Sequence, residues 1–218
     1  MFYCEDARNI FLEKNSVDLF VTHPPYEGSS TVNLYGNADQ QIHNDGKDSY
    51  LSNLMNIIRH MDYALKDNGR ILLGVPARPI MYEIIAKIVQ NFNFKFEAPL
   101  VWEFGNDPMY DGYVDTQVYF INIIKGSPYY SDKIDSLVID IPWLHMLELD
   151  IYEGFTEDSV PLALCDIIID AFTEKGNTVA DLMAGTGSIL LSAKNKGRNI
   201  IYNDVSEEQF NIAKQRLL

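Results

Sequence analysis

The chain has 218 residues, 47% of them hydrophobic and 22% charged, which is enough for one well-packed domain and too little for two full ones. Its 17 Lys and Arg stand against 31 Asp and Glu, a formal net charge of −14, which argues against a broad polybasic surface. No apolar run is long enough to span a membrane, no leader peptide opens the chain, and two cysteines with four scattered histidines suggest neither a disulfide framework nor a metal site, so a reducing cytoplasm is the expected location.

Residues 1–4 form a short apolar piece. Val17-Asp18-Leu19-Phe20-Val21 is a β-rich run that stops at His23-Pro24-Pro25, because proline cannot donate to a strand ladder. Leu51, Leu54, Met55, Ile58, Met61, Tyr63 and Leu65 mark the apolar side of a helix over 49–65. Lys66-Asp67-Asn68-Gly69 reads as a turn, and 71–75 as the next strand. A helix is expected over 81–92 and strands over 94–102 and 117–125. The stretch 126–154 is the least regular and is acidic. A helix over 159–172 is closed by Glu174-Lys175-Gly176-Asn177, a capping and turn signal. A strand over 178–181, a glycine loop, a helix over 188–195, a strand over 199–202 and a helix over 207–217 complete the chain. The alternation predicts an α/β fold, with a mostly parallel sheet and crossover helices on both faces.

Two constellations carry chemistry. The first is Asp181-Leu182-Met183-Ala184-Gly185-Thr186-Gly187-Ser188, where a strand runs into a Gly-x-Gly loop that opens a helix. Glycines permit a tight turn and a close approach of ligand to backbone. Asp204 follows near the end of the next strand, where an acid accepts hydrogen bonds from both hydroxyls of a ribose. The reading is a nucleoside cofactor across two strand ends; the plainer alternative is an ordinary strand-to-helix turn. NAD is disfavoured, because Leu190 stands where a third glycine would fall. The second constellation is Thr22-His23-Pro24-Pro25-Tyr26. Two prolines fix the backbone, so a carbonyl and a side chain can point at one small group, and the tyrosine face can stack on a flat ring. A structural Pro-Pro turn is the alternative.

Together these motifs resemble the DNA amino-methyltransferases that act on adenine or cytosine. In that family a tetrapeptide of Asp, Asn or Ser followed by Pro-Pro and an aromatic holds the target amine, and an Asp-Pro-Phe-x-Gly-x-Gly motif holds the methyl donor. The tetrapeptide comes first here, which is similar to the family's beta arrangement. The likeness extends over nearly the whole chain, from Tyr3-Cys4-Glu5-Asp6-Ala7 and Leu65-Lys66-Asp67-Asn68-Gly69 to Gly197-Arg198-Asn199 and Ile212-Ala213-Lys214. The resemblance implies a Rossmann-like, circularly permuted methyltransferase fold with a mostly parallel seven-stranded sheet. It implies S-adenosyl-L-methionine as cofactor, held by Asp6, Phe155, Thr156, Asp181, Met183, Gly185, Gly187 and Asp204. His23, Pro24, Pro25 and Tyr26 would form the catalytic tetrapeptide, with no metal.

The chain departs from the pattern in three places. His23 replaces the usual Asp, Asn or Ser; a neutral imidazole still accepts one hydrogen bond from an amine. Leu182-Met183 replaces Pro-Phe. Residues 126–154 form a short insert where a full target-recognition segment would stand, in an otherwise single domain over 1–218. The implied reaction is direct methyl transfer to an exocyclic amine of a base flipped out of DNA, with Tyr26 stacked on the base. If neutral His23 accepts the amine proton, activity would fall on acidification through its pKa, near ~6.5 if unperturbed. DNA is the expected partner, bound with help from a second subunit or a second copy, and homo- or hetero-oligomers fit. The competing readings are a non-catalytic cofactor-binding subunit and an amino-methyltransferase of RNA or protein.

Overall fold

The computed structural model describes residues 1–24, 47–103, 117–126, 138–141 and 160–218. In chain order the elements are β1 (Phe2–Tyr3), β2 (Val17–Thr22), α1 (Lys47–Ala64), β3 (Leu65–Pro76), α2 (Pro79–Asn91), β4 (Lys95–Glu103), β5 (Gln117–Ile124) and β6 (Val138–Asp140). Then follow α3 (Leu162–Phe172), β7 (Thr178–Asp181), α4 (Ser188–Asn195), β8 (Asn199–Asn203) and α5 (Glu207–Leu217). Each expected helix and strand forms, with ends moved by a few residues.

The strands make one eight-stranded sheet in the order β1-β8-β7-β2-β3-β5-β4-β6. Pairing is parallel from β1 through β3 and between β4 and β6, while β5 runs antiparallel to both neighbours. The expected seven strands are therefore exceeded by one. The addition is β6, three residues inside the stretch read as an irregular insert, and too short to show a period. It docks on the edge at β4, where Trp102 Nε1 donates to the Ile141 carbonyl at 3.1 Å. The first strand lies beside the last, the adjacency that a permuted order requires.

Period-two alternation sends side chains to two separate cores. Phe20, Ile71, Leu73, Val75, Ile121 and Ile123 pack under α1 and α2. Leu19, Val21, Leu72, Phe120 and Val179 pack under α3, α4 and α5. A sheet covered on both faces explains why the central strands read as continuous apolar runs.

One expected feature takes a different form. The turn at Lys66-Asp67-Asn68-Gly69 lies within β3, as a bulge. Val17 stands opposite Leu65 and Leu19 opposite Arg70, so the two strands fall out of step there. Asn68 adopts a left-handed φ of 80°, and its amide donates to the Lys125 carbonyl at 2.7 Å. The polar turn residues thus keep ladder partners on β5's far end while the chain changes direction.

The final helix is written clearly in local chemistry. Ser206 caps α5 by accepting from Gln209 N at 3.3 Å. Glu207 and Glu208 sit in the first turn and Lys214 and Arg216 in the last, each sign where the helix dipole favours it.

Candidate active site

Four adjacent parallel strands, β1, β8, β7 and β2, end at the same edge of the sheet. Each carries one of the expected site segments just past its end. Asp6 follows β1, Asp204 follows β8, the glycine loop follows β7, and His23-Pro24 follows β2. Ligands bind at such an edge in parallel α/β sheets.

The glycine loop is fixed from several sides. Asp204 Oδ2 accepts from Gly185 N at 2.8 Å, and its Oδ1 accepts from Ser206 N at 2.9 Å. Tyr202 Oη donates to the Gly185 carbonyl at 2.7 Å, and Arg216 Nη1 to the Thr186 carbonyl at 2.7 Å. Gly187 takes a φ of 81°, which strains any residue with a side chain, and a Cβ there would also meet Leu217 Cδ1 at 2.9 Å, so that α5 side chain would have to shift. At Gly185 the nearest such atom is Gln209 Oε1 at 4.0 Å, which leaves that face of the backbone open.

Sequence reasoning missed the residue that joins these segments. Asn203, fully buried, accepts from Glu5 N at 3.1 Å and donates to the carbonyls of Glu5 and Leu182, each at 2.9 Å. It ties the loop after β1 to the start of the glycine loop. A lone Asn before an Asp gives no pattern in one sequence, so no signal could have singled it out. Tyr202 and Arg216 were missed for the same reason.

Two carboxylates share this edge. Burial drives the Asp181 pKa up to about 7, assisted by the nearby Asp204 charge, against the lowering effect of the Met183 amide and the Thr22 hydroxyl. Burial also raises Asp204, offset by the amides of Ser206, Gly185 and Val205. Asp6 behaves oppositely: its carboxylate is gripped by the Arg8 guanidinium, which holds it below the usual range. Its acceptor capacity is turned largely toward Arg8, with Arg8 Nε at 2.9 Å from each oxygen.

His23 sits in a tight seat. A Cβ on Gly74 would lie 2.5 Å from His23 Cδ2, so glycine in β3 is what makes room for the imidazole. Phe120 flanks the ring at 6.4 Å between centroids. A glycine interrupting an apolar strand was the available signal for a close approach. Burial pushes the His23 pKa down to about 4. The ring is therefore not the unperturbed imidazole for which an acid limb near ~6.5 is expected. Pro24 is buried beside it, while Pro25, Tyr26, Phe155 and Thr156 lie outside the described residues.

A family model described as a DNA methylase, of the N6/N4 methyltransferase type, matches residues 17–142 and 116–215. The chain belongs to the N6/N4 DNA methylase family. These are the S-adenosylmethionine-dependent enzymes that methylate amino groups of DNA bases. The Type II methyltransferase M.SmaI of Serratia marcescens is 22% identical over 98% of this chain and 89% of its own length. M.HpaI of Haemophilus parainfluenzae is 24% identical over 94% of the chain and 69% of its own length. Among solved structures, the cytosine-N4-specific PvuII DNA methyltransferase superposes with a TM-score of 0.74 at 17% identity, covering 100% of this chain and 86% of that one. The M1.HpyAVI–SAM complex gives 0.70 at 22% identity, covering 100% and 98%.

The local chemistry of this DNA methylase suits a nucleoside cofactor at the glycine loop. Ser188 Oγ and Gln209 Oε1 are buried there without a hydrogen-bond partner among the described residues, and the Gly185 backbone faces open space. Polar atoms left in that state gain most from a polar ligand.

Proposed function

We propose that this DNA methylase acts at the N6 of adenine or the N4 of cytosine, with His23 and the Pro24 carbonyl receiving the target amine. The observation that carries the reading is the convergence of His23-Pro24, the glycine loop, Asp181 and Asp204 on four neighbouring strand ends.

Asp204 holds the ribose hydroxyls while its other contacts keep the glycine loop in place. Gly185 lets the cofactor lie against the backbone, Gly187 seats the loop on α5 beside it, and Asp181 and Met183 border it where the chain leaves β7. S-adenosylmethionine supplies an electrophilic methyl carbon on a sulfonium, so no covalent enzyme intermediate is required. The target amine is a poor nucleophile because its lone pair is delocalised into the ring. Neutral His23 would accept one amine proton in a hydrogen bond and the Pro24 carbonyl the other, localising the lone pair toward the methyl carbon; the N–C bond would form as the C–S bond breaks to leave a neutral thioether, and the nitrogen would then release one proton to solvent. Tyr26 stacks on the flipped base. Holding nucleophile and electrophile in line supplies much of the acceleration. Asp6, Phe155 and Thr156 complete the cofactor's surroundings in this reading. The chain works as a single domain with a short insert, and a partner subunit or a second copy adds contacts to DNA.

The test is transfer of labelled methyl from S-adenosylmethionine to duplex DNA, RNA and protein in parallel, followed by mass spectrometry of the nucleosides. N6-methyladenine or N4-methylcytosine is expected, from DNA alone. Asp204→Ala is expected to weaken cofactor binding about tenfold or more, the scale of one charge-assisted hydrogen bond. Transfer to RNA or protein in preference to DNA would sink the proposal.

A further inference from the structure

An acidic chain that acts on DNA needs some surface where phosphates are welcome. Among the described residues one groove has that character. A cavity of about 620 Å³ is lined by Arg8 and Asn9 from the β1–β2 loop and by Asn53, Asn56, Arg59 and His60 from α1. No lining residue is acidic. Asp6, two residues from Arg8, is paired with the Arg8 guanidinium.

The surrounding sequence is unusual for this chain. From Ser49 through Met61 there is no Asp or Glu, and from Ala7 through Leu12 there is none either, in a protein with 31 acidic residues. The outward residues of this part of α1 are Ser52, Asn56 and Arg59, where a solvated helix face would ordinarily mix in Glu.

The groove is also held in shape. His60 Nε2 lies 2.9 Å from the Arg8 carbonyl, joining helix to loop, and Arg59 Nη1 donates to Asn56 Oδ1 at 2.8 Å. Guanidinium and amide donors in a fixed concavity match phosphate oxygens, which accept several hydrogen bonds at once. Its place is on the flank of the domain: the loop bearing Arg8 leaves the sheet edge that holds Asp6, whereas α1 enters β3 at the opposite edge, so the groove lies away from the cofactor edge.

We infer that the groove between α1 and the β1–β2 loop is a docking surface for the phosphodiester backbone of DNA, away from the base being methylated. The inference rests on the DNA reading above. The contacts would be few and sequence-independent, positioning the duplex without reading it.

The experiment is fluorescence anisotropy of a labelled duplex against the full chain with S-adenosylmethionine present, over a salt series. Wild type is compared with Arg59→Ala, Arg59→Glu and Asn56→Asp, all changes at exposed positions. Arg59→Ala should weaken binding several-fold and lower the salt slope by about 0.9, the value of one neutralised phosphate. Both variants that add negative charge should weaken it further, while calorimetric affinity for S-adenosylmethionine stays at the wild-type value. If wild type methylates DNA and these variants bind DNA as wild type does with the same salt slope, the groove is overturned and the DNA reading stands. If sedimentation shows that the variants dissociate an oligomer while DNA affinity per chain is unchanged, the face is a contact between copies and the inference also falls. If wild type neither binds nor methylates DNA, both readings fail together.

Discussion

At the scale of the residue, the pH behaviour separates His23 from Asp181. His23 is held neutral by burial, with a pKa of about 4 against an ordinary 6.5. Between those values the unfolded chain binds the proton and the folded one does not, so His23 makes stability rise with pH across that window. Asp181 is raised to about 7 from 3.8, so over that window the folded chain holds the proton and stability falls as pH rises. The two slopes oppose each other across the acid range. Above pH 7, Asp181 is a buried anion awaiting a cation, and the ammonium and sulfonium of S-adenosylmethionine would supply one. Cofactor affinity should therefore weaken up to tenfold per unit as pH drops below about 7, as linkage to a single proton requires. Asp181→Asn should bind more weakly and with no such dependence, yet melt at a higher temperature than wild type at pH 8, by the equivalent of roughly 2–4 kcal/mol. Calorimetric titration and scanning calorimetry from pH 5.5 to 8.5 read both effects. A flat affinity profile for wild type would remove Asp181 from the cofactor's charge. A midpoint near 6.5 in the transfer rate at saturating cofactor, lost in His23→Ser, would mean that the imbalance lies at His23 after all.

At the scale of the element, the glycine loop shows what one sequence reveals and what it hides. Gly-x-Gly after a strand and before a helix was legible, as was Asp204 after the next strand, because both are local and their spacing is set by the strand–loop–helix–strand order. The different tasks of the two glycines were not legible. Gly187 is needed by the protein's own packing, with Leu217 Cδ1 at 2.9 Å from any added Cβ, whereas Gly185 has nothing nearer than 4.0 Å. Gly187→Ala should cost about 1–3 kcal/mol from left-handed strain and the clash, and so lower the melting temperature several degrees. Gly185→Ala, at φ 52°, lies in a region that alanine enters at a smaller penalty, so it should melt nearer to wild type but lose affinity for S-adenosylmethionine several-fold. Equal losses of affinity with equal melting temperatures would show that the loop does not divide its tasks in this way. Asn203, Tyr202 and Arg216 were illegible for a related reason. Their partners are main-chain amide and carbonyl groups brought near by tertiary structure, and nothing in residue type or spacing encodes those meetings. The strand β6 escaped because three residues hold no period, and the β3 bulge because a turn signal does not say whether the ladder resumes around it.

At the scale of the whole molecule, the balance of charge opposes the substrate. A net charge of −14 repels a polyanion wherever the two approach within about a Debye length, ~8 Å at physiological salt. The fold meets this in a limited way: Ser49 through Met61 of α1 and Ala7 through Leu12 of the β1–β2 loop carry no acid, though Asp6, Glu13, Asp48 and Asp62 flank those windows. So few phosphate contacts have two measurable consequences for the isolated chain. Binding to a duplex should be weak at 0.15 M salt, with a dissociation constant in the micromolar range or above, close to non-specific affinities of roughly 10⁻⁴–10⁻⁶ M. The slope of log affinity against log salt should also be shallow, no steeper than about −3, because each neutralised phosphate contributes only about −0.9. These predictions are coupled, which makes them stricter than either alone. Weak binding with a steep slope would require many contacts offset by strong repulsion, and tight binding with a shallow slope would require base contacts by residues of this chain. An anisotropy titration at four or five salt concentrations distinguishes these cases. A slope beyond about −5, the signature of six or more phosphates, would reveal a basic face that the charge balance conceals. If the shallow slope holds and the proposed helper is a second copy, raising the chain's own concentration should tighten binding and steepen the slope together, since each added copy would bring further phosphate contacts.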